Sequence, residues 1–507
     1  MSALTLERLR REGDALMRAV SREYYLAHAG LKATAELKPI YDRHAAILGP
    51  DALALAREAF LSAPDDSEDR RLARLLLDWQ VDAQSSRALA ELDERQIAWE
   101  NAAALSLSDG RSIPYQRASI EMANAGEREE RLLIERARAE LVARELAPLR
   151  RERFEREIDF VARLEIAPTY IAAFEALSGM SLASLAEQCR DFLRDTQAMW
   201  DDSFRDMVRR KLRIDPAEAT RADALALLRA PDLDRFFPAS SMEASVRGQL
   251  REMGIDPDAA GRIRYDTGER EGKRARAFCA PVRVPEEVYL VLRPHGGQTD
   301  YRTLLHELGH ALHFANITPD YPFEYRWLGD NSVTEAYAML FDHLLQEPGW
   351  LTRYTALTRG DIGTVLRAVG FEELQFLRRY CAKLIYELSL YGGEESWDAL
   401  PALYVDTLGT ATSFRYDVAD AFVDVDPRFY AARYLRAWQL QALLRETLVE
   451  RFDEDWYRNP RAGPWIVSAL LAEGQREVAD ELAERVSGRP LSFAPLVRAT
   501  ETLLVAV

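Results

Sequence analysis

Apolar residues recur every three or four positions along most of the chain, the spacing that lines up one face of an α-helix. Leu4, Leu6, Leu9, Leu16 and Val20 form one such stripe, and Leu72, Leu75, Leu76 and Trp79 another. Gly49-Pro50, Ala63-Pro64-Asp65-Asp66 and Ser108-Asp109-Gly110 interrupt the pattern where helices should stop. Residues 1–160 therefore read as an N-terminal helical region, and residues 161–507 as a second region sharing helices with it. Between 127 and 157 Arg and Glu alternate three or four apart, which suits a solvated helix face. Near Gly261 the period shortens. Residues 262–265, 277–280 and 288–292 read as short strands between Gly, Pro and charged turns. This small sheet leads through Pro294-His295-Gly296-Gly297 into another helical stretch, and from Ser332 onward the chain reads as helix again. The fold class expected is mainly α with one small sheet.

The stretch after that sheet carries the chemistry. Leu304, Leu305, Leu308, Ala311, Leu312 and Ala315 have helical spacing, and His306-Glu307-Leu308-Gly309-His310 lies among them. On a helix His306 and His310 are one turn apart on one face, so their imidazoles can bind one zinc ion. Glu307, slightly round the helix, is placed to serve as general base for water. Asp300 is the expected N-cap. A glycine inside a helix costs about 1 kcal/mol relative to alanine, so Gly309 implies that something approaches the helix closely there. His313 continues the face and is expected to be a neighbour of the site, not a ligand.

A catalytic zinc takes a third protein ligand and keeps one open position. A third histidine in the long motif would need Gly at 313 and His at 316, where the chain has His313 and Asn316. A carboxylate from another element is therefore expected. Glu335, which opens the next apolar helix, is one candidate, with Asp320, Glu324, Asp330 and Asp342 as rivals. Ser332-Val333-Thr334-Glu335 also has the form of a capping box, in which Glu335 would turn back onto its own helix. Spacing leaves these readings open.

Composition narrows the function class. With 66 Lys and Arg against 83 Asp and Glu the net charge is -17, which argues against nucleic acid or an anionic membrane as partner. Three widely spaced cysteines, Cys189, Cys279 and Cys381, form neither a disulfide framework nor a second metal motif. The charged start of the chain has no apolar run of a signal peptide, and no window is long enough to span a bilayer. A cytoplasmic location is expected. At 507 residues the chain exceeds one ordinary core, so two lobes are expected.

The run Glu271-Gly272-Lys273-Arg274-Ala275-Arg276-Ala277-Phe278-Cys279, followed by the segment from Thr303 to His313, resembles the thimet oligopeptidase and oligoendopeptidase F family of zinc metallopeptidases. Similarity at motif level extends to residues 232–237 and 474–488. The first 150 or so residues match only in being helical. The resemblance implies a two-lobed, helical zincin-type fold with a deep channel between the lobes that admits short peptides. It implies one zinc ion held by His306, His310 and Glu335, with Glu307 as the base. It also implies a tyrosine segment facing the metal, here residues 426–438, in which Tyr430 and Tyr434 lie one helical turn apart and can donate hydrogen bonds to an oxyanion. The family's histidine before these tyrosines is missing, and no histidine follows His343. Arg428 or His295 could supply a donor instead, and Arg433 or Arg428 could bind a substrate carboxylate.

The function expected is zinc-dependent hydrolysis of peptide bonds in short oligopeptides. Arg433-Tyr434 followed by Leu440-Gln441 also resembles the angiotensin-converting enzyme family, which implies a dipeptidyl carboxypeptidase as the alternative. A specialised hydrolase of one modified peptide or amide, and a non-catalytic binding protein with a relic site, are the remaining readings.

Overall fold

Thr5 caps the first helix, α1 (Leu6–His28), by accepting from the N–H of Arg8 at 3.2 Å. Ser67 does the same for α2 (Glu68–Ala102), accepting from Arg70 at 3.1 Å. The computed structural model describes residues 4–274 and 276–506. After α2 the chain makes a short antiparallel ribbon, β1 (Ala104–Ser106) and β2 (Ser112–Pro114), so Ser108-Asp109-Gly110 is a hairpin turn and not a link between helices. The three strands expected beyond Gly261 form as β3 (Ile263–Asp266), β4 (Phe278–Arg283) and β5 (Glu287–Val291). Their order is β3-β5-β4, with β3 parallel and β4 antiparallel to the central β5. β4 is an edge strand, and the register shift between Pro281 and Arg283 shows how a proline is tolerated there. α1 lies against this sheet: Ser21 Oγ donates to the Pro281 carbonyl at 2.7 Å, and Tyr25 stacks on Tyr289 with ring centroids 3.8 Å apart.

The helix carrying the paired histidines, α3 (Gln298–Asn316), starts earlier than its sequence suggests. Its N-cap is Gly297 at φ 93°, a conformation that glycine adopts without strain. Asp300, expected as the cap, lies inside the first turn and reaches back to accept from the N–H groups of His295 and Gly296 at 2.7 and 2.9 Å. It thus satisfies donors ahead of the helix while placing its charge at the positive end of the helix dipole.

The next helix, α4 (Asn331–Asp342), is buried at every residue from Ser332 onward. It crosses α3 where Gly309 lies. A Cβ added at Gly309 would come within 2.5 Å of Ala338 Cα and 2.7 Å of the Tyr337 carbonyl, so α4 is the close neighbour that the glycine implied. Two further helices adjoin this pair: α5 (Arg359–Gly392), tied to α3 by the Arg302–Glu372 ion pair, and α6 (Tyr430–Phe452), which packs along α4. The main apolar core runs from Phe154 to Leu503 and contains Leu304, Leu305, Leu308 and Leu312 of α3. Among the described residues no helix is long and apolar enough to cross a membrane.

One polar group in α5 is costly to bury. Glu387 is fully buried, and neither of its carboxyl oxygens has a side-chain hydrogen-bond partner among the described residues. Burial pushes it up to about 8; Asp426 and Asp424 add to the shift, while Lys383 and the Asp426 backbone N–H oppose it. Folding therefore takes up a proton between about pH 4.5 and 8, and the group's contribution to stability is lost as pH rises through that window. Glu387→Gln should remove this loss. Between pH 6 and 8 the wild type should fall behind the variant by about 2–3 kcal/mol, at about 1.4 kcal/mol per pH unit, in paired urea titrations.

Candidate metal centre

α3 and α4 bring three ligand atoms together. His306, His310 and Glu335 each offer one, and all three lie within 4.8 Å of one another. Glu335 Oε2 is 3.4 Å from His306 Nε2 and 3.8 Å from His310 Nε2. That oxygen is buried without a hydrogen-bond partner, whereas the other, Oε1, accepts from the Tyr430 hydroxyl at 3.2 Å. A buried carboxylate oxygen aimed at two imidazole nitrogens fits a cation between them. The capping-box alternative does not form: Asp330 is the N-cap of α4, accepting from the N–H of Ser332 at 2.9 Å, and Glu335 is turned toward α3. The rival carboxylates are engaged elsewhere. Glu324 pairs with Arg10 at 2.6 Å, Asp330 also accepts from the N–H of Ala479, Asp320 is exposed, and Asp342 stands behind His306.

The far nitrogens of both histidines are held, which fixes which nitrogen is free. Asp342 Oδ2 lies 2.8 Å from His306 Nδ1. Burial raises Asp342, but His343 and His306 outweigh it and hold the carboxyl well below its usual range. It can only accept, so His306 Nδ1 carries a proton. Burial lowers His306, yet the Asp342 and Glu335 carboxylates facing its two nitrogens raise it to about 10, so in the metal-free protein Nε2 also carries a proton, which a cation would displace. The His310 side is a neutral relay. His313 Nε2 meets the Gly474 carbonyl at 3.1 Å and must donate, leaving Nδ1 to accept from the Thr334 hydroxyl at 3.1 Å. With its O–H donated in a hydrogen bond to His313, the Thr334 oxygen accepts from His310 Nδ1 at 3.0 Å, which leaves the lone pair of His310 Nε2 facing Glu335. Burial lowers His310 to about 4 and His313 to about 3, in keeping with neutral rings. His313 is a neighbour of the site, as the sequence suggested.

Glu307 lies beside this cluster at the sheet edge. Its Oε2 accepts from the backbone N–H of Cys279 on β4 at 2.9 Å. Burial raises its carboxyl above the usual range, with the His306 charge opposing. A cavity of about 210 Å³ opens next to His306, and Tyr434 is in its wall. Tyr430 is brought to Glu335 instead. Burial, reinforced by Glu335, raises both phenols, so both remain protonated donors at neutral pH. Neither arginine proposed for substrate is brought to this cavity. Arg428 pairs with Asp78 and with Asp82, and Arg433 lies 4.0 Å from Asp78 and 3.9 Å from Asp330. His295 is held outside it by Asp300.

Sequence reasoning named Asp342 only as a rival ligand, not as the partner behind His306, and missed Thr334. Asp342 is seven residues after Glu335, two turns along one helix face, and Thr334 is adjacent to Glu335; those offsets were the available signal. It also missed Arg276 and Arg302, both of which line the cavity. Arg302 Nη1 donates to Glu372 at 2.7 Å, while Arg276 has no ion-pair or hydrogen-bond partner among the described residues.

No protein-family model matches this sequence, and no curated protein matches it. Solved structures do. An M32 carboxypeptidase from Deinococcus radiodurans R1 superposes with a TM-score of 0.62 at 16% identity, over 98% of this chain and 99% of its own. A carboxypeptidase from Pyrococcus furiosus, in a form described as Apo-Mg, gives 0.64 at 13% identity over all of both chains. The chain shares its fold with carboxypeptidases. That agrees with the mainly α, zincin-like metallopeptidase architecture expected from the sequence.

The relay through Thr334 gives a test independent of catalysis. Thr334→Val keeps the shape but removes the hydroxyl, and should weaken zinc binding about 10–100-fold. Glu335→Ala should weaken it by at least as much. Competition with a fluorescent chelator measures both.

Proposed function

We propose that this chain is a zinc-dependent peptidase acting on short peptides. The observation that carries the reading is the buried, unpartnered Glu335 oxygen facing two histidine Nε2 atoms, with Glu307 and a cavity alongside. Zinc held by His306, His310 and Glu335 would supply Lewis acidity, polarising a carbonyl and bringing the pKa of a water near 7. Glu307 takes the proton from the attacking water and returns it to the leaving amine. Its raised pKa suits both steps, and the Cys279 N–H fixes its position. Tyr434, in the cavity wall, donates to the developing oxyanion, a contribution of about 3 kcal/mol. Tyr430 has a different part: its hydroxyl orients Glu335.

Two observations favour carboxypeptidase action over internal cleavage. The solved structures that share the fold are described as carboxypeptidases. Arg276, an unpaired guanidinium in the cavity lining, can take a terminal carboxylate, whereas Arg428 and Arg433 are neutralised by Asp78, Asp82 and Asp330. The oligopeptidase reading rests on the motifs around Glu271–Cys279 and His306–His310.

A mixed peptide library read by mass spectrometry tests the proposal. Zinc-loaded wild type should cleave it, and Glu307→Gln should lose 10²–10⁴-fold in rate; unchanged cleavage in the variant would remove Glu307 from the mechanism. Amidating the peptide C-terminus separates the two modes. A carboxypeptidase should lose activity on amidated peptides, and Arg276→Ala should raise KM on free-acid peptides alone. Equal cleavage of both forms points to an oligopeptidase.

A further inference from the structure

We infer that the cavity beside His306 is a specificity pocket for one bulky apolar side chain, aromatic by preference, on the residue flanking the scissile bond; this rests on the peptidase reading above. Phe376, Tyr380, Tyr434, Trp438 and Met339 supply its apolar wall. The rings form a continuous array. Tyr380 meets Tyr434 edge-on at 5.6 Å and Trp438 at 5.2 Å, and Tyr434 meets Tyr430 at 5.0 Å. The array therefore runs from the hydroxyl on Glu335 to the cavity wall, so a guest ring would sit against other rings within reach of the ligand cluster.

The polar part of the lining recruits no charged guest, because its charges are already matched. His343 is held between Asp342 at 2.5 Å and Glu373 at 3.0 Å, and Arg302 is held by Glu372. A lysine or arginine side chain would enter without a free partner and lose its hydration. Size points the same way. A volume of about 210 Å³ is below the 300–1,000 Å³ typical of whole-ligand sites, which leaves room for one large side chain and not for a run of peptide. Arg276 is the exception among the charged lining residues, being unpaired and exposed, and it suits a carboxylate beside the side chain, not the side chain itself.

Binding of product-like fragments tests the pocket without requiring turnover. N-acetyl derivatives of phenylalanine, leucine, alanine, glutamate and arginine are titrated by calorimetry into full-length, zinc-loaded Glu307→Gln protein. The phenylalanine compound should bind at least tenfold more tightly than the alanine one. The leucine compound should fall between them, and the two charged compounds should bind no better than alanine. Phe376→Ala, at a half-buried position, should bring phenylalanine and alanine within about threefold. Tyr380→Phe keeps the ring and should retain the discrimination, with thermal melts confirming that both variants fold. Equal affinity for phenylalanine and alanine, no binding of phenylalanine, or tighter binding of a charged compound would each overturn the pocket. If phenylalanine binds as expected while the peptide library stays uncut, the pocket stands and the peptidase reading fails.

Discussion

A carboxylate oxygen placed inside a protein with no donor must be stabilised by something, and Glu335 Oε2 is in that position. Leaving a charge unpaired in the interior costs several kcal/mol, far more than a helix cap would return. The surroundings of Glu335 reduce this cost from two sides: the charged His306 ring faces it, and Tyr430 donates to the second oxygen, while the His310 Nε2 lone pair leaves a place that only a cation would suit. None of these pairings is possible unless two helices approach backbone to backbone. Gly309 is therefore as much part of the cluster as His306, His310 and Glu335: any side chain there would press on Ala338 and the Tyr337 carbonyl. The cost of a mid-helix glycine is small beside the geometry it permits.

The two histidines reach similar geometry through different electrostatics. His306 is backed by a charged chain, Asp342, then His343, then Glu373. His343 has a carboxylate on each nitrogen; burial lowers it, but Glu373 and Asp342 raise it to about 10. His310 is backed by a neutral relay, Thr334 and His313, ending at a backbone carbonyl. One side thus concentrates negative charge and strengthens its ligand as a donor. The other fixes a tautomer without adding charge.

Legibility in the sequence followed the range of the interaction. Helical periodicity, the three strands after Gly261 and the His306-Glu307-x-x-His310 pattern are local, and local spacing specifies them. The start of α3 was misplaced at Asp300 because a capping carboxylate and one reaching back from the first turn look alike in sequence. Glu335 was harder, since a capping box and a ligand share one spelling and only the approach of α4 to α3 separates them. Charge compensation was not legible. Arg428 and Arg433 look available until α2 delivers Asp78 and Asp82 from 350 residues away in the chain. Arg276, in contrast, carries no local signal that it lacks an ion pair among the described residues.

The placement of the three candidate ligands on two helices has a thermodynamic consequence. His306 and His310 move with α3, whereas Glu335, Thr334 and Asp342 move with the wholly buried α4. A cation joining them therefore binds only when these helices are docked, and its binding free energy adds to the stability of that docking. The apolar contacts of α3 and the close approach at Gly309 already favour the docked pair, which preorganises the centre and lowers the ordering cost of binding. Sheet strand β4 belongs to the same unit, because Glu307 on α3 is tied to the Cys279 backbone. Displacing the edge strand would thus free the Glu307 side chain, while separating α4 would take Glu335 away from the two histidines. The two sets of contacts are mechanically separate on one helix, which is why substitutions at Glu307 and at Thr334 can be read independently.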